Sequence, residues 1–189
     1  MSDALRILGF AGSLRKGSFN RALLRAAQEL APTNLAIEIL DLSPLPFYNA
    51  DVEASGDPEP VAAFKKAVGA ADGLLIATPE YNHSVPGVLK NAVDWASRPP
   101  ATTPLRGKPA MLMGASPGMG GTIRAQLALR QSFVFTQTLA MLQPEVLVAK
   151  AHEKFDSAGR LTDEPTRQHI GKALAAFADW VHRLKQSAP

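Results

Sequence analysis

The chain has 189 residues, 46% of them apolar, no cysteine and a formal net charge of +3. That length suits one domain, expected to run over 1–189, with enough core to fold without staples. The missing thiols exclude disulfides, thiolate catalysis, iron–sulfur clusters and Cys-rich zinc sites. No apolar run approaches the roughly 18 residues of a membrane span, Asp3 and Arg6 break the order a leader peptide needs, and the basic residues form no stripe for nucleic acid; the expected setting is cytoplasmic.

Leu5 to Ala11 is a short apolar run that stops at Gly12-Ser13 and predicts a buried strand. Ser18 is placed to cap a helix from Phe19 to Ala31, which Pro32 ends. Leu35 to Leu40 predicts a second strand, Ser43 to Pro60 a loop rich in Pro, Asp and Gly, and Pro58 to Ala71 a helix carrying Val61, Phe64 and Val68. Leu74 to Thr78 is a third apolar strand, followed by the loop Pro79-Glu80-Tyr81-Asn82 and a helix from Gly87 to Ser97. Lys108 to Ala115 is the fourth strand, Ser116 to Gly121 a glycine-rich loop, and Thr122 to Phe135 a helix. Pro144 to Val148 is a short fifth strand, and Asp163 to Leu184 the last helix, with Pro165 in its first turn. Strands that are apolar throughout, alternating with helices, signal a parallel sheet covered on both faces. The expected architecture is three-layer α-β-α with five strands.

In such a sheet ligands bind beyond the C-terminal strand ends, where the strand order reverses. Three loops fall there. Gly12 to Asn20 offers hydroxyls, Arg15, Lys16 and a helix N-terminus, which suits an anion; a solvated, capped turn is the plainer alternative. It has neither the Walker spacing nor the completed three-glycine dinucleotide pattern. Pro79 to Gly87 brings Tyr81, able to pack on a flat ligand, Asn82, able to read polar edges, and Glu80, which either accepts from a ligand hydroxyl or caps a neighbouring helix. His83 stands alone, with no partner at metal-ligand spacing, and reads as a loop or interface residue rather than a general base. Ser116 to Gly121 places three glycines in four positions, so backbone can approach a ligand closely. Arg124, on the helix that follows, is a ligand or interface candidate.

Taken together, Gly12-Ser13-Leu14-Arg15-Lys16-Gly17-Ser18-Phe19-Asn20 and the long stretch from Pro79-Glu80-Tyr81-Asn82-His83-Ser84-Val85-Pro86-Gly87 to Asp94-Trp95 resemble the NADPH-dependent FMN reductase family, which includes quinone, chromate and azo-dye reductases of flavodoxin-like fold. The resemblance runs from about residue 5 to 180 and implies the strand order 2-1-3-4-5. It implies non-covalent FMN, with NADPH or NADH as co-substrate. Ser13, Arg15, Ser18 and Asn20, with amides from Leu14 to Phe19, would hold the phosphate. Pro79, Glu80, Tyr81 and Asn82 would line the ribityl chain and ring. Ser116, Gly118, Gly120 and Gly121 would lie near the pyrimidine edge. Hydride would pass from NAD(P)H through the flavin to quinones or similar small acceptors, such as chromate, azo or nitro compounds, in ping-pong order with no side-chain nucleophile and no metal. A homodimer or homotetramer is the family's habit, with the helix Gly87 to Ser97 and exposed aromatics near Phe133 and Phe135 as contacts; the plainer alternative is that these side chains fill the monomer core. Two rival readings remain open: an FMN-binding electron carrier without its own nicotinamide reaction, and a flavin-free binding protein on the same fold.

Overall fold

A computed structural model describes residues 4–186; Asp3, used above in the leader argument, lies outside them. Strands β1 (Leu5–Ala11), β2 (Leu35–Leu40), β3 (Gly73–Ala77), β4 (Pro109–Ala115), β5 (Leu139–Ala140) and β6 (Val146–Val148) alternate with helices α1 (Phe19–Glu29), α2 (Ala50–Ala54), α3 (Glu59–Ala70), α4 (Gly87–Ala96), α5 (Ile123–Thr136), α6 (Ala151–Lys154) and α7 (Glu164–Gln186). All pairings between these strands are parallel, in the order β2-β1-β3-β4-β5, with β6 also paired to β4. The chain moves outward from β1 to β2 and then returns to β1's other side at β3, so the order reverses between β1 and β3.

Burial on both faces explains the uniformly apolar strands. Leu5, Ile7, Leu75, Met111 and Met113 point to one face, against Leu23 and Ala27 of α1 and Leu174, Phe177 and Val181 of α7. Their neighbours Leu8, Phe10, Leu74, Ile76 and Leu112 point to the other, against Phe64 of α3, Leu89 and Val93 of α4, and Leu129 and Phe133 of α5. Each large side chain so enclosed is worth about 1.5–3 kcal/mol relative to exposure. Alternate residues of one short segment therefore fasten helices on opposite faces.

The flavodoxin-like order 2-1-3-4-5 is present, but its fifth position is divided. β5 pairs with Pro109 and Ala110 at the start of β4, and β6 pairs with Met113 to Ala115 at its end. Between them Pro144 has no amide to donate to a ladder, and the Met141 carbonyl accepts instead from the Arg130 guanidinium at 2.9 Å. The single strand expected over 144–148 is thus the shorter β6, with β5 added before it. The loop expected from Ser43 to Pro60 contains α2, capped by Asn49, whose side chain accepts from the Asp51 amide. Phe133, expected among exposed aromatics, is 3% exposed and fills the core, whereas Phe135 is 72% exposed.

Candidate active site

The three loops expected at the site do converge beyond the C-terminal strand ends. The first leaves β1 through Gly12, whose amide donates to the Ala77 carbonyl at the end of β3. Glycine is required there by the neighbouring loop: a Cβ would stand 2.9 Å from Pro86 Cγ and 3.0 Å from Leu89 Cβ. Ser13 is buried, while Leu14, Arg15, Lys16 and Gly17 form an exposed tip. Among the described residues no carboxylate pairs with Arg15 or Lys16; the Arg15 guanidinium stands over the Phe19 ring, 5.9 Å from its centroid. Phe19 in turn leans on Phe155 at 5.6 Å. Ser18 is the N-cap of α1, its Oγ accepting from the Asn20 and Arg21 amides. Both contacts use the hydroxyl oxygen, so its proton remains available to a ligand.

Asn20 is placed otherwise than its expected phosphate role suggests. It is 3% exposed, and its amide faces Ala115 at the end of β4: Nδ2 donates to the Ala115 carbonyl and Oδ1 accepts from the Ala115 amide, both at 2.9 Å. Above Ala77 strand β3 has ended, and its last bond to β4 is Thr78 N–H to the Met113 carbonyl. Asn20 thus meets the peptide groups of β4 just beyond the reach of β3.

In the second loop Pro79 is buried and Tyr81 is 51% exposed. Asn82 and His83 both take left-handed backbone conformations (φ 50° and 61°), turning the chain between Tyr81 and Ser84, which exchange backbone hydrogen bonds. Asparagine and histidine tolerate that region better than most residues. Glu80 realises the capping alternative: Oε2 accepts from the Arg124 amide at 2.9 Å and the Ala125 amide at 3.2 Å, and Oε1 lies 3.4 Å from Arg124 Nη1. Arg124, a ligand or interface candidate from the sequence, is thereby engaged inside the molecule.

The third loop is buttressed from behind. The Ser116 amide donates to Val148, and the Lys150 and Ala151 amides donate to Gly118 and Ser116. Ser116 Oγ accepts from the Gly118 amide at 3.2 Å. Pro117, Gly118, Met119 and Gly120 are exposed, but Gly121 is buried with φ at 57°, where a Cβ would meet the backbone of Leu147 at 3.0 Å. Its lack of a side chain serves packing against β6. The Val148–Ala151 buttress escaped sequence reading, because a short strand followed by one helical turn carries no distinctive chemistry.

A further surface lies over α4 and α5. Phe47 is 85% exposed, yet its neighbours are pinned to α4: the Pro46 carbonyl accepts from Asn91 Nδ2 and Trp95 Nε1, and the Tyr48 amide donates to Asn91 Oδ1. Across the α4–α5 face, concavities of about 580 and 210 Å³ share Ser97, Phe135 and Thr136.

Sheet order and the switch point between β1 and β3 define a flavodoxin-like protein, and the cation-bearing loop opening a helix at that point has the chemistry to receive an anion. Comparison with known proteins narrows this. The model of the NADPH-dependent FMN reductase family matches residues 5–153, and the chain belongs to that family. An NAD(P)H-dependent FMN reductase of Pseudomonas aeruginosa is 50% identical over 185 residues, covering 98% of this chain and 100% of the relative. A quinone reductase of Pseudomonas putida is 42% identical over 181 residues, covering 96% and 97%. The structure of FerB, a flavoenzyme NAD(P)H:(acceptor) oxidoreductase from Paracoccus denitrificans, superposes with a TM-score of 0.87 at 38% identity, covering 95% of this chain and 98% of FerB. The chain is an oxidoreductase of the flavin reductase family.

Proposed function

We propose that this protein binds FMN across the three loops and uses it to pass two electrons from NADPH or NADH to quinones or similar small acceptors. The observation that carries the reading is the first loop, where exposed Arg15 and Lys16 have no carboxylate partner among the described residues and stand beside the capped start of α1. Two uncompensated cations and a helix N-terminus fit a phosphate monoester. Arg15 forks onto its oxygens, and Ser13 and Ser18 offer hydroxyls to it. The half-exposed Tyr81 leaves its ring free to pack on the flat part of the ligand, and Pro79 and Asn82 of the same loop would line it. In the third loop the Gly118 amide is engaged by Ser116 Oγ, and the amides of Gly120 and Gly121 would supply the donors that charge on the pyrimidine edge needs. Bound FMN supplies the hydride-accepting and electron-donating chemistry. The residues of the chain bind, orient and leave one face open, so nicotinamide and acceptor visit it in turn, in ping-pong order.

The named activities of the relatives support quinones as acceptors, including a 2-hydroxy-1,4-benzoquinone reductase of Burkholderia 42% identical over 178 residues. A carrier without its own nicotinamide reaction fits less well, since such carriers are strongly acidic and this chain is at +3. Among the described residues no helix is long and apolar enough to cross a membrane, which agrees with a cytoplasmic enzyme. Exposed Phe47, Val134 and Phe135 beside concavities on the same side support a homo-oligomer, because an isologous contact needs projection and recess on one patch.

The test is one sample taken through three steps: titration with FMN, anaerobic reduction with NADPH or NADH, and reoxidation by a quinone. The expected result is saturable binding, bleaching of the flavin band by the nicotinamide, and its return with quinone. Binding without bleaching by either nicotinamide supports the carrier; no binding removes the flavin reading.

A further inference from the structure

We infer that Asn20 and Glu80 are positioning residues that clamp the glycine-rich third loop at its two ends, rather than ligands of the phosphate or the ribityl chain. The inference rests on the flavin reading above. Its basis is that the loop's boundaries are each held by a side chain from one of the other two loops.

At the leading end, Asn20 presents a full amide to a full peptide group. It donates to the Ala115 carbonyl and accepts from the Ala115 amide, one residue before Ser116. Strand β3 has stopped by then, and Pro79 has no amide to extend its ladder. Without Asn20 a buried donor and a buried acceptor would lose their partners, which costs more than one ordinary hydrogen bond. At the trailing end, Thr122 makes no side-chain cap for α5. Glu80 supplies that cap from the second loop, accepting from the Arg124 and Ala125 amides. A carboxylate there also meets the positive end of the helix dipole. The third loop is therefore suspended between the first loop and the second, and three glycines in four positions are held in one arrangement.

The clamps fix the distance from the phosphate end of the site to the ring end. Both side chains are spent on protein amides and carbonyls: Asn20 Oδ1 is engaged with Ala115, and Glu80 carries a negative charge that a phosphate would repel. Losing a clamp should therefore weaken the hold on the ring, whichever tail the ligand carries.

The experiment compares FMN with riboflavin, which has the same ring and ribityl chain but no phosphate, on the full chain stripped of flavin. Variants are Asn20→Leu, Glu80→Gln and, as a phosphate-loop control, Arg15→Ala. Asn20→Leu and Glu80→Gln should lower affinity for both flavins by the same factor, about tenfold, whereas Arg15→Ala should lower it for FMN alone. Amide exchange across residues 116–125 of the flavin-free protein should accelerate in Glu80→Gln, while the first loop keeps its wild-type rates, a local loosening that neither a general loss of stability nor the loss of a ribityl contact would produce. Loss of FMN affinity with riboflavin affinity intact in either clamp variant would make that residue a phosphate ligand and overturn the inference. Unchanged affinity for both flavins would overturn it as well. Should Asn20→Leu fail to fold, exchange in the stripped wild-type chain decides: an Ala115 amide slower than those of Gly118 and Gly120 supports the clamp, and equal rates refute it. A wild-type chain that binds neither flavin removes the flavin reading instead, and the exchange measurement still reports on the clamps.

Discussion

The two ends of the sheet carry similar side chains and use them in opposite ways. At the N-terminal ends the charges are closed on themselves. Asp72 accepts from the Arg6 amide and from Lys185 Nζ, Arg6 donates to the Ala70 carbonyl, and Lys108 Nζ donates to the carbonyls of Gly69 and Ala71. At the C-terminal ends Arg15 and Lys16 are left open to solvent beside a helix start, and the side chains that are closed, Asn20 and Glu80, hold loops. One end is built to hold the fold and the other to receive something. Substitutions at the first should move melting temperature and spare ligand affinity; at the open cations of the second, Arg15 and Lys16, the reverse should hold.

The largest expected effect breaks this division. Gly114 lies in β4 at the receiving end, where a Cβ would run into the Thr122 hydroxyl and the Thr78 carbonyl. Gly114→Ala should cost about 3 kcal/mol of stability through overpacking, read as a lowered denaturant midpoint at unchanged slope. Next comes Arg15→Ala, which should weaken FMN binding by about 1.5–3 kcal/mol with the flavin-free melting temperature unchanged. A parallel fall in melting temperature would contradict the open role given to Arg15.

Asp72→Asn sharpens the comparison from the other end. Burial alone would raise the Asp72 carboxyl, but the bonds from Lys185 and the Arg6 amide outweigh it and hold the group below its ordinary value. Its contribution is therefore present above the unfolded carboxylate range and lost as pH falls through the lower folded value. At pH 7 the variant should be less stable by about 1 kcal/mol, and the two melting curves should converge below about pH 4, with FMN affinity equal throughout. The smallest effect is expected from Tyr81→Ala. A half-exposed ring should change stability by no more than about 0.5 kcal/mol, while the bound flavin spectrum or the acceptor kinetics shift.

Most of the sheet was legible because both faces of β1, β3 and β4 are buried, leaving unbroken apolar runs between glycines and prolines. The divided fifth position was not: β5 is two residues long, and Leu139–Ala140 resembles the end of the preceding helix. Placement of the three loops followed from topology, and Glu80 as a helix cap stood as one of two alternatives. What joins the loops could not be read locally. Asn20 meets a partner 95 residues away, and Glu80 meets its partners 44 and 45 residues away. Both are backbone groups, which leave no mark in residue identity. The packing at Gly121 was hidden for a related reason: its neighbour Leu147 comes from a distant strand and meets it through main chain.

The bonds on either side of Phe47 bear on association. An exposed aromatic on a loose loop must give up backbone freedom when a surface closes over it, at roughly 1–2 kcal/mol for each residue immobilised. Here Asn91 and Trp95 already hold the flanking peptide groups within the chain, so the ring would meet any incoming surface as part of a rigid relief, and most of the area it contributed would go into attraction rather than into ordering the chain.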